Sequence, residues 1–109
     1  MERRWTTRTR VNLPVELLQA GTHTEGCRTR DVGLGGIYLE VPPNVKLFAE
    51  SHVELIFRVG ERGEVTKHRV KARVVRVGDA GAGLMFRDFD ASTFRSLQEI
   101  VRFREDPAS

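Results

Sequence analysis

The chain has 109 residues, 39% of them hydrophobic and 30% charged, and a formal net charge of +3. That length suits one hydrophobic core, and no apolar run approaches the roughly eighteen residues that a membrane-spanning helix needs, so helical membrane insertion is excluded. The modest charge argues against a dedicated DNA coat and the single Cys27 excludes an internal disulfide; with a charged N-terminus and no apolar stretch behind it, a cytoplasmic location is expected.

The first ten residues carry Arg3, Arg4, Arg8 and Arg10 and read as an arm (residues 1–10) preceding a barrel domain (residues 11–104). Val11, Leu13, Val15 and Leu17 alternate, as on a half-buried first strand, with Pro14 on the opposite parity. Ala20-Gly21 predicts a turn, His23 to Arg30 a polar second strand, and Gly33 to Gly36 a break before Ile37, Leu39 and Val41 resume alternation. Pro42-Pro43-Asn44 ends that third strand. Val53, Leu55, Phe57 and Val59 mark the fourth, and Gly60 to Gly63 a hairpin turn.

From Val65 to Val77 the pattern divides into an apolar face (Val70, Ala72, Val74) and a solvent-facing basic one (Lys67, Arg69, Lys71, Arg73). Arg76 falls on the apolar parity, so it either reaches a ligand or sits on a bulge that turns it to solvent. Gly78 to Gly81 leads into a last strand with Leu84 and Phe86 inward. Asp90 is placed as an N-cap, and Phe94, Leu97, Ile100 and Val101 return at helical spacing; the tail 105–109 reads as flexible. Six short strands with glycine turns and one terminal helix predict an all-β fold, a small antiparallel barrel whose closure removes exposed edges.

Two arrays carry chemistry. Guanidinium groups at Arg3, Arg4 and Arg8 offer planar charged forks that suit phosphate oxygens and the paired acceptors of a guanine edge. Asp31, in Asp31-Val32-Gly33-Leu34-Gly35-Gly36, is acceptor-only when ionised and can take two adjacent guanine N–H donors, while the glycines allow close approach to the backbone. Each array alone has a plainer reading, a solvated basic tail and a hairpin or bulge. No metal-ligand spacing, nucleophile elbow or phosphate-loop motif is present, so enzymatic activity is not expected.

The combination resembles the PilZ domain family of bacterial cyclic di-GMP receptors. Arg4-Trp5-Thr6-Thr7-Arg8 is similar to the family's R-x-x-x-R, and Asp31 to Gly36 matches most of its [D/N]-x-S-x-x-G; Val11 to Val15, Gly35 to Leu39, Ala72 to Arg76 and Gly83 to Phe86 are similar to further landmarks. The resemblance implies a six-stranded antiparallel PilZ-type barrel with one C-terminal helix. It also implies that Arg4 and Arg8 bind phosphates and the guanine O6/N7 edge, that Asp31 takes guanine N–H donors, and that Gly36 keeps the turn open. Arg3 beside the motif resembles members that bind an intercalated pair of ligands, hence two cyclic di-GMP molecules per domain, and Arg76 lies where some members carry a stacking aromatic.

Gly33 stands where the family has Ser, a loss worth about 1 kcal/mol if one neutral hydrogen bond is missing. The leading expectation is a receptor whose arm reorders on binding cyclic di-GMP and signals to a downstream protein partner. One alternative keeps the fold as a protein-interaction domain that does not bind the nucleotide. Another is a small nucleic-acid-binding barrel using Lys67, Arg69, Lys71 and Arg73, but that strand lacks stacking aromatics, so DNA or RNA is not the expected partner.

Overall fold

A computed structural model describes residues 9–33, 35–61, 64–88 and 90–102. Its strands are β1 (Thr9–Arg10), β2 (Pro14–Gln19), β3 (Thr22–Val32), β4 (Gly36–Glu40), β5 (His52–Glu61), β6 (Glu64–Val77) and β7 (Gly81–Phe86), followed by helix α1 (Ala91–Arg102). All pairings are antiparallel, in the order β3-β2-β5-β6-β7-β4, and β4 pairs back with β3 to close the ring. Six strands thus form the barrel, and the two-residue β1 adds to β3 through Thr9 opposite Val32 and Arg10 opposite Asp31.

Alternation sets which side chains fill the interior. Val15, Leu17, Leu39, Val53, Leu55, Phe57, Val70, Ala72, Val74 and Leu84 are buried together, and Leu97 and Ile100 of α1 join them. Each fully buried Leu, Ile, Val or Phe contributes about 1.5–3 kcal/mol relative to exposure, so this shared core is the main stabilising term. Ile56 is also buried although its parity points outward; in register it lies between Glu16 and Arg69.

The first strand differs from the sequence expectation: it begins at Pro14, and Val11 to Leu13 are irregular. The cause is a buried threonine. Thr29 Oγ1 accepts from the Leu13 N–H at 2.9 Å and donates to the Val11 carbonyl, replacing ladder bonds in a segment that its own parity would make a strand. Pro14 then sits at a strand's first position, where its missing N–H is tolerated. The second strand runs farther than expected, from Thr22 through Asp31 to Val32. β5 and β6 extend to Glu61 and Glu64, and residues 62–63 lie outside the described residues.

The Ala20-Gly21 turn carries positive φ at both positions (51° and 81°), the requirement of a two-residue hairpin whose twist matches its strands. Asp90 caps α1 as expected: its Oδ1 accepts from the Thr93 N–H at 2.9 Å and the Thr93 hydroxyl at 3.1 Å. The helix rests against β6, where His68 Nδ1 and Ser96 Oγ lie 3.1 Å apart.

Candidate functional site

Two irregularities in the ladders define the site. On β3, Thr29 is opposite Leu39 but Asp31 is opposite Tyr38, so Arg30 and Asp31 together face one β4 residue. On β6, Val74 is opposite Leu84 but Arg76 is opposite Gly83, so Val75 and Arg76 together face one β7 residue. Tyr38 and Gly83 are themselves a register pair. The two bulges therefore lie in one cross-strand row at either end of a Tyr38–Gly83 pair, and each bends its strand to re-aim side chains outward.

Between them opens a cavity of about 950 Å³, bordered by Arg30, Asp31, Tyr38, Val75 and Arg76 and by Gly33, Gly35, Gly36 and Ile37 where β3 passes into β4. Two of the sequence alternatives for Arg76 turn out to be compatible: the bulge turns it out of the core, and it borders the cavity all the same. Asp31, Gly33 and Gly36 border the same cavity. Arg3, Arg4 and Arg8 lie outside the described residues, as do Leu34, Trp5 and the tail 105–109.

The glycines act differently from expectation. Gly36 is buried as the first residue of β4, and a Cβ there would stand 2.3 Å from the Leu84 carbonyl oxygen. It is needed for close approach of β4 to β7 rather than for an open turn. Gly33 donates its N–H to the Gly36 carbonyl at 2.8 Å, which closes the connection tightly.

Charge and aromatic surface meet on the β3 side. Arg30 Nε lies 3.8 Å from Asp31 Oδ2, and the Arg30 guanidinium carbon stands 4.4 Å from the centre of the Tyr38 ring. Neither Arg30 nor Tyr38 was singled out as a site residue by sequence reasoning. Arg30 directly precedes Asp31, and strict alternation would send it to the opposite face; only the bulge brings the two together, and bulges have no signature in a period-two pattern. The basic face of β6 is exposed as expected but largely engaged, with Arg69 3.5 Å from Glu54 and Arg73 2.8 Å from Glu50.

Cations at both ends, one carboxylate and a guanidinium plane backed by the Tyr38 ring suit a planar anionic ligand. Burial pushes the Cys27 thiol up, and it is a core side chain. Among the described residues no group of three or more His, Cys, Asp or Glu is arranged to hold a metal ion.

The family model for the PilZ domain matches residues 2–103. The chain belongs to the PilZ domain family. This PilZ domain superimposes on the PilZ domain of CeSA from a cellulose-synthesizing bacterium with a TM-score of 0.70 at 19% identity, covering 91% of this chain and 99% of that one. It superimposes on the Bacillus subtilis inhibitor of motility MotI/DgrA with a TM-score of 0.69 at 17% identity, covering 94% of this chain and 49% of that one, so it spans about half of MotI. At such identities the likeness is one of fold. No curated protein sequence matches the chain.

Proposed function

We propose that this PilZ domain is a cytoplasmic cyclic di-GMP receptor that signals by ordering its N-terminal arm. Arg4 and Arg8 bind the ligand's phosphates and guanine O6/N7 edges, Arg3 extends the array for a second, intercalated molecule, and Asp31 accepts guanine N–H donors. Gly33 brings the backbone close to the ligand, Gly36 lets β4 close against β7 beside it, and the Arg76 plane stacks on a purine. The observation that carries this reading is the paired bulges, which give Asp31 and Arg76 one shared cavity of dinucleotide size. The arm joins the domain at Thr9, and β1 pairs with β3 beside Asp31, so the arginine-rich segment is tethered next to the cavity.

Like charges at Arg3, Arg4 and Arg8 repel until the ligand's phosphates neutralise them; the arm then settles across the barrel and offers a new surface to a downstream protein. Calorimetric titration tests the reading. The parent binds cyclic di-GMP at tens of micromolar or tighter, and Arg8→Ala weakens it at least about tenfold, the loss expected for one bidentate contact. No heat from the parent, or an unchanged Arg8→Ala, would contradict the reading.

Gly33 favours a second reading, a PilZ-like domain that binds only proteins, because it lacks the hydroxyl of the family's serine. On that reading the parent shows no binding and Gly33→Ser creates it.

A further inference from the structure

The layer formed by Arg30, Tyr38 and the glycines of β7 has a geometry that the family motif does not supply. A Cβ at Gly81 would stand 2.6 Å from both Cε2 and Oη of Tyr38, and one at Gly83 would stand 3.9 Å from Cδ1. The tyrosine ring thus leans onto bare glycine backbone of β7. From the β3 side the Arg30 guanidinium covers it at 4.4 Å, with Asp31 Oδ2 3.8 Å from its Nε. Tyr38 is half-buried and the Arg30 side chain is 52% exposed, so the outer surface of this stack is the guanidinium plane, at the border of the cavity.

We propose that Arg30 is a ligand-binding residue, a stacking platform for one purine of the dinucleotide, and that Tyr38 is its positioning residue. The assignment rests on the receptor reading above. A spacing of 4.4 Å leaves no room for a base between Arg30 and Tyr38, so the base stacks on the guanidinium's outward face. Arginine suits this place because its plane is rigid, charged and weakly hydrated, whereas an ammonium offers a point charge without a face. The Tyr38 ring backs that plane before the ligand arrives, with the Asp31 carboxylate beside it, which reduces the ordering that binding requires. The same Asp31 takes guanine N–H donors in the receptor reading, so platform and acceptor are adjacent residues on one bulge.

The test is a set of titrations on the full chain with cyclic di-GMP and with a cyclic dipyrimidine nucleotide of the same phosphate ring. Arg30→Ala is expected to weaken cyclic di-GMP binding about tenfold, the scale of one lost base stack. Arg30→Lys, which keeps the charge, stays as weak as Arg30→Ala. Tyr38→Phe binds within about twofold of the parent, whereas Tyr38→Leu, lacking the ring, moves toward Arg30→Ala. The ratio of affinities for the purine and pyrimidine rings falls in Arg30→Ala, a change that loss of stability alone would not produce. Circular dichroism and thermal melting of each variant confirm an intact barrel. If the parent binds and Arg30→Ala or Arg30→Lys binds equally well, the platform assignment is wrong while the receptor reading stands. If the parent does not bind, both fall.

Discussion

At the scale of single residues, Thr29 has consequences beyond its own strand. It is a polar residue 1% exposed, and its hydroxyl satisfies both the Leu13 N–H and the Val11 carbonyl, while its own N–H donates to the Leu13 carbonyl at 2.9 Å. These bonds fasten the segment that connects the arginine-rich arm to the barrel. Thr29→Val keeps the shape but leaves a buried donor and acceptor without partners, so it is expected to cost about 2–3 kcal/mol in denaturant unfolding, while Thr29→Ser stays close to the parent. The alternation that points Cys27 inward points Thr29 inward too, so its burial could have been read from sequence; its bonding to a segment sixteen residues away could not. Asp31 is the harder case, because a bulge reverses the face that its parity assigns and sets it beside Arg30.

Among the elements, α1 shows most directly how a local signal becomes a titratable contribution. The Thr93 N–H and hydroxyl bonded to Asp90 hold its carboxyl below the usual carboxylate range. A folded pKa below the unfolded one means that the stabilisation is complete above the unfolded value, near pH 4, and is lost as pH falls through the folded value. The melting temperature of Asp90→Ala should therefore lie below that of the parent at about pH 6, with the gap narrowing as pH falls below the unfolded value and through the folded one. A gap independent of pH would show that the cap acts without its charge. The cap, the helix and the glycine turns were all legible, because each has a residue type that its backbone geometry demands. Strand ends were less so: β2 starts three residues later than alternation suggests because side-chain bonding from Thr29 replaces the ladder, and Gly36 serves close approach to β7, which no local pattern encodes.

For the whole molecule, closure of the ring through β3 and β4 turns sequence-distant pieces into one surface. The connection after Asp31 and the bulge at Arg76 are about forty-five residues apart in the chain, yet β4 and β7 between them bring both to the same cavity. The barrel was predictable from six alternating segments, since closure is the simplest way to leave no exposed edge. The shared row of bulges was not, since it depends on register. The central claim is that this row and the arm together bind cyclic di-GMP, and its most direct test is a proton–nitrogen correlation spectrum of the labelled chain with and without the nucleotide. Binding is expected to move the amide signals of Arg30 to Ile37 and of Val75 to Gly78, to sharpen or shift those of Arg3 to Arg8, and to need at least about tenfold more nucleotide to do so in Arg8→Ala. Spectra that superimpose across a titration to millimolar nucleotide, or shifts confined to the face of β2 and β5, would contradict it.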